Sequence, residues 1–114
     1  MLAVTPALGC ASATGWTRER SRSCERDGPP RVCVVVEPDR QLVFEVGDIE
    51  LVPQECAEGP EGRRGGSLRI TARDGATGDE ARRRVHVRRG RELTLTAEAP
   101  LKLRVVERAR CEHP

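Results

Sequence analysis

From Arg31 onward the chain alternates apolar and polar positions with a period of two. The segments are rich in β-branched residues and punctuated by turn signals, a pattern that predicts an all-β domain. Residues 32–36 are apolar on both faces and predict a central strand. Glu37-Pro38-Asp39-Arg40 reads as a turn, with proline where its fixed φ fits. Leu42, Phe44 and Val46 share one face of a second strand. Gly47-Asp48 makes a two-residue hairpin, and Ile49 and Leu51 continue the same face on the third. Parity then sets the register, with Val46 opposite Ile49 and Phe44 opposite Leu51. It also sets Glu45 opposite Glu50. Like charges directly across a strand pair are destabilising, so an arginine from elsewhere is expected between them.

Residues 53–66, with four glycines and two prolines, read as a long mobile loop unless Cys56 pins it. A fourth strand, 68–73, turns Leu68, Ile70 and Ala72 inward. Residues 74–79 are a turn; their carboxylates miss the spacing of an EF-hand calcium loop. The last three strands, 82–88, 92–98 and 102–108, read as a meander. Val85, Val87, Leu93, Leu95, Ala97, Leu103 and Val105 all carry odd numbers, so three-residue loops at 89–91 and 99–101 keep them on one face. That register pairs Arg88 with Glu92, Arg82 with Glu98, and Glu98 with Lys102. The expected fold is a small, disulfide-stapled antiparallel β-sandwich of about seven strands, with an Ig-like arrangement among the candidates.

Composition changes this picture in two ways. The chain has 114 residues, enough for one small domain, and 37% of them are hydrophobic. Twelve Val, nine Leu and two Ile carry the packing, with Phe44 and Trp16 as the only large rings. So thin a core calls for external staples, and five cysteines are present to supply them. No apolar run approaches the roughly 18–20 residues of a membrane-spanning helix. Nineteen arginines against the single Lys102 reflect a codon bias that also enriches Ala, Gly, Val and Pro, so arginine number alone says little.

The first ten residues, Met-Leu-Ala-Val-Thr-Pro-Ala-Leu-Gly-Cys, run from a short apolar stretch through small residues to a cysteine. They resemble the end of a bacterial lipoprotein signal peptide. Gly9 stands directly before Cys10, although Ala7 and Leu8 are in exchanged order and no basic residue precedes the apolar stretch. The resemblance implies that residues 1–9 are the remnant of a signal and that the Cys10 thiol carries a diacylglycerol. It also implies that the protein is attached to a membrane rather than spanning it, as an outer-membrane lipoprotein facing the periplasm or the exterior. Residues 10–30 are small, polar and rich in breakers, and read as a flexible tether of about twenty residues ahead of a 31–114 domain. Trp16 within it is open to either a membrane interface or a capping role.

Cysteine arithmetic fits this reading. Lipidation of Cys10 leaves Cys24, Cys33, Cys56 and Cys111 for two disulfides, with three pairings open. The expected pairing is Cys24–Cys33 and Cys56–Cys111.

Charge is divided along the chain. Residues 37–61 hold eight acids and one base, and residues 81–110 hold ten bases and three acids. Arg84, His86, Arg88, Arg104 and Arg108 are expected on one exposed sheet face. With the 53–66 loop, that face is a candidate partner-binding surface for an envelope protein or an anionic glycan such as lipopolysaccharide. Mutual neutralisation between the two charged regions is the competing reading. A net charge of +2 and the lack of interleaved aromatic residues argue against nucleic acid. Cys111-Glu112-His113 is too sparse for a zinc site, and no phosphate loop or nucleophile elbow occurs. The expected function is a non-catalytic, membrane-anchored structural or interaction module without cofactor or metal; polyanion binding by the basic face is the alternative.

Overall fold

A computed structural model describes residues 15–18, 27–37, 39–60 and 65–111. Among these the chain forms nine strands: β1 (Thr17–Arg18), β2 (Arg31–Val34), β3 (Leu42–Val46), β4 (Ile49–Leu51), β5 (Cys56–Glu58), β6 (Gly65–Asp74), β7 (Glu80–Arg88), β8 (Arg91–Glu98) and β9 (Lys102–Ala109). They build two sheets, ordered β1-β5-β2-β8-β9 and β4-β3-β6-β7. The fold is a disulfide-stapled β-sandwich. Neighbouring strands run antiparallel except for β2 and β8, which are parallel.

The core forms where the alternation directs it. Val32, Val34, Ala57, Leu93, Leu95 and Leu103 point in from the five-stranded sheet. Leu42, Phe44, Val46, Leu51, Leu68, Ile70, Ala72, Val85 and Val87 meet them from the four-stranded sheet. Each large aliphatic side chain or ring so buried stabilises the fold by about 1.5–3 kcal/mol. Strand β2 lies between β5 and β8, as its two apolar faces require: Val32 and Val34 face the core, and Cys33 faces outward beneath a disulfide.

The β3–β4 hairpin has the register that parity demands, Val46 opposite Ile49, Glu45 opposite Glu50 and Phe44 opposite Leu51. Gly47 supplies a φ of +62° at its turn. No arginine is placed between the two glutamates among the described residues; Arg73 of β6, on the side of β3 away from β4, approaches Glu45 alone, its Nη2 3.6 Å from Glu45 Oε1. Strand β9 pairs with β8 as expected, Glu98 opposite Lys102 and Ala97 opposite Leu103.

Strand β7 departs from the expected meander. It pairs with β6 over nine residue pairs, from Gly65 opposite Arg88 to Arg73 opposite Glu80. It therefore belongs to the other sheet from β8, so the Arg88–Glu92 and Arg82–Glu98 pairings do not form. The turn at 89–90, with Gly90 at φ +78°, carries the chain between sheets. The β6–β7 turn is set by Asp74, whose Oδ1 accepts from the Ala76 amide at 2.8 Å and whose carbonyl accepts from Gly78 at 2.7 Å.

Three further expectations are corrected. The 53–66 segment contains β5 and the start of β6, and only 61–64 within it lie outside the described residues. Part of the expected tether belongs to the sandwich: Trp16 is buried, β1 pairs with β5, and Gly28, Pro29 and Pro30 are buried. Finally, Cys33 is bonded to Cys56 across β2 and β5, where the two residues stand directly opposite. This overturns the Cys24–Cys33 and Cys56–Cys111 pairing. Neighbouring strands hold Cys33 and Cys56 together regardless of the separation in sequence. Cys111 forms a second disulfide; Cys10 and Cys24 lie outside the described residues.

Candidate functional site

The transfer of β7 to the other sheet divides the expected basic face. Arg84, His86 and Arg88 project from the outer face of β7 on the four-stranded sheet. Arg104 and Arg108 project from the outer face of β9 on the five-stranded sheet. Arg88 and Arg104 are moreover engaged in ion pairs. Arg88 Nη2 reaches Glu107 Oε2 at 2.9 Å, beside Arg91 Nε on the same oxygen at 2.8 Å, and Arg104 Nη1 meets Glu98 Oε2 at 2.7 Å. Glu107 thus receives two guanidinium groups. The hydrogen bond from Arg91, then that from Arg88, holds its carboxyl below the usual glutamate range.

What β6 and β7 do bring together is a different group of arginines. On their shared outer face Arg69 stands directly opposite Arg84, with Thr71 opposite Arg82 in the next outward row and Ser67 opposite His86 on the other side. Arg69, Arg82, Arg83 and Arg84 line an open groove of about 270 Å³. Among the described residues, neither Arg69 nor Arg84 has a carboxylate within ion-pairing distance. The carboxylates of this sheet gather at its other end. Arg73 bonds Glu80 at 3.1 Å and approaches Glu45, and Arg82 touches Glu80 at 3.4 Å. The Glu80 hydrogen bond, followed by the charge of Glu45, raises the Arg73 guanidinium pKa, and the reciprocal bond lowers that of Glu80. The face is therefore polarised, neutralised around Arg73 and uncompensated around Arg69 and Arg84. Arg69 was not singled out in the sequence. The signal was present, since Arg69 alternates with inward Leu68 and Ile70, but the β6–β7 pairing was needed to place it opposite Arg84.

Two other arginines serve the fold. Arg110 has a fully buried side chain; its Nη1 donates to the Pro29 carbonyl at 2.7 Å and its Nη2 meets Glu58 Oε2 at 2.8 Å. Its amide donates to Gly90, whose own amide donates to Gly28. Arg110 thereby stitches the entry segment, β5 and the sheet-crossing turn to the chain end. Arg31 Nη1 lies 3.2 Å from Glu92 Oε1 on the parallel neighbour β8, and its Nη2 lies 3.6 Å from Cys56 Sγ.

Among the described residues no group of three His, Cys, Asp or Glu side chains is placed to hold a metal, and no helix is long and apolar enough to cross a membrane. His113 lies outside the described residues. Fold and surface together define a small disulfide-stapled β-sandwich with an arginine-rich outer face. No protein-family model, curated protein or solved structure matches the chain.

Proposed function

We propose that this chain is a non-catalytic envelope lipoprotein, attached through acyl chains on Cys10 to the outer membrane, whose β-sandwich acts as a structural or interaction module. The observation that carries the reading is the use of the thiols. Cys33–Cys56 and the disulfide at Cys111 consume four of five cysteines and leave one. Stable disulfides of this kind belong to oxidising compartments outside the cytosol. We assign the remaining cysteine as Cys10, on the lipoprotein-type sequence that ends there, which leaves Cys24 to pair with Cys111.

The burial of Trp16 sharpens the picture. Only five residues lie between it and Cys10, and even fully extended the six steps span about 20 Å. The attachment is a short leash, so a lipidated Cys10 holds the sandwich against the headgroups.

Membrane fractionation tests this. Expressed from its native upstream region, the wild-type chain is expected in the membrane fraction, resistant to a salt wash and released by detergent. Cys10→Ser is expected to be soluble after the same wash. Equal partitioning of the two chains would contradict the proposal.

A further inference from the structure

The outward face of β6 and β7 poses a physical problem that the fold leaves unsolved. Arg69 and Arg84 are exposed and directly opposite across an antiparallel pair, where like charges repel. Arg82 and Arg83 line the same groove. Arg82 has only an exposed contact with Glu80, at 3.4 Å; such pairs contribute little in water. Arg83 donates to the Leu103 carbonyl at 3.4 Å, a bond that leaves its charge uncompensated. The strand pair thus gathers positive charge at a cost to its own stability, without using it for internal neutralisation.

We propose that this face, centred on Arg69 and Arg84, docks on a phosphate-bearing anionic lipid surface. The proposal rests on the envelope-lipoprotein reading and supplies its second attachment. Guanidinium groups bind phosphate oxygens through paired N–H donors, and they do so as a group when the anions are displayed side by side. Cross-strand neighbours stand about 5 Å apart and successive outward positions about 7 Å apart along a strand. The face is thus a two-dimensional array suited to headgroups on a plane. It offers no enclosed pocket for a single small anion. Trp16 and Phe44, the only Phe, Tyr or Trp rings, are both buried, so the face presents no large aromatic platform for a nucleobase or a sugar ring, and His86 is its only ring. The short leash from Cys10 keeps the sandwich within about 20 Å of the membrane, so the face can reach the roughly 8–10 Å over which surface charge acts at physiological salt. The diacylglycerol on Cys10 supplies the firm anchor, and the basic face adds an electrostatic contact that sets how the sandwich sits on the headgroups.

The test uses the full chain with Cys10→Ser and intact disulfides, so that acylation contributes nothing. Co-sedimentation is measured with phosphatidylcholine vesicles with and without phosphatidylglycerol, at low and high salt. Binding is expected only to the phosphatidylglycerol vesicles and is expected to weaken as salt rises. The pair Arg69→Ser/Arg84→Ser is expected to lower affinity about 30-fold, from about fivefold per surface arginine. The charge-matched pair Arg104→Ser/Arg108→Ser, on the other sheet, is expected to change it less than threefold. Arg84→Glu separates binding from folding. It puts a carboxylate opposite Arg69, so it is expected to raise the melting temperature while lowering vesicle affinity about 30-fold, the same two-charge change as the serine pair. Equal losses from the two serine pairs, equal binding to neutral vesicles, or retention on heparin without vesicle binding would each overturn the lipid assignment. None of these outcomes touches the Cys10 proposal, which fractionation of the acylated chain decides separately.

Discussion

At the scale of single residues, the fold relies on arginine for work that bulky apolar side chains do in richer cores. Arg110 is the clearest case, a fully buried guanidinium that bonds Pro29 and Glu58 and leaves its Nε without a partner among the described residues. Removing one member of a buried pair strands the other and its hydrogen-bonding groups. Arg110→Ala is therefore expected to lower stability by about 3 kcal/mol, read from the urea midpoint at unchanged slope. Lysine cannot reproduce the fork that reaches both acceptors, so Arg110→Lys is expected to recover only part of the loss. Glu107 offers a pH-dependent check. Its carboxyl is held below its ordinary range by Arg91 and Arg88 in the folded state, so folding releases its proton more readily. The resulting stability is present above about pH 4.3, the unfolded value, and is lost as pH falls through the depressed folded value. The group is partly solvated, so the effect is about 0.5 kcal/mol. Unfolding free energies of wild type and Glu107→Gln are expected to differ near neutrality and to converge in acid. A difference that grows on acidification would contradict the assignment.

At the scale of elements, a double-mutant cycle distinguishes the observed position of β7 from a β7–β8 hairpin. Arg88 is expected to couple to Glu107 by about 0.5 kcal/mol and to Glu92 by nothing measurable. The reverse result would return β7 to the meander. The reason the sequence points to the wrong partner is instructive. Val85 and Val87 face the core whether β7 lies beside β8 or across the sandwich from it, because both arrangements bury the same parity. A tight turn with a left-handed glycine serves a hairpin or a change of sheet equally well. The β3–β4 and β8–β9 registers were legible because strand parity and a short loop leave one solution with all apolar residues inside. Strand β5 was not, since Cys56-Ala57-Glu58 offers a single inward residue, Ala57, between polar neighbours. The arginine face was half legible for the same reason. Its β7 members were visible as an outward row, but Arg69 joined them only through the β6–β7 pairing, and Arg104 and Arg108 left with β9.

At the scale of the whole molecule, the sandwich begins earlier than the composition suggests and depends on its staples. Trp16 is buried against Gly59, where an added Cβ would lie 3.3 Å from the ring. Trp16→Ala is expected to cost about 3–5 kcal/mol by denaturant unfolding; a tether residue would cost nothing. Cys33–Cys56 closes a loop of sequence separation 23, which constrains the unfolded chain by about 3 kcal/mol. Cys33→Ser/Cys56→Ser is therefore expected to lose about that much, a large fraction for so few bulky side chains. The anchored, oxidised state of the five cysteines underlies both the proposed location and the proposed role. Intact mass of the protein purified from membranes, expressed from its native upstream region, tests it most directly. The account predicts one spectrum in which the chain begins at Cys10, carries acyl mass there and lacks the four hydrogens of two disulfides. An unprocessed chain with free thiols and no lipid would contradict it.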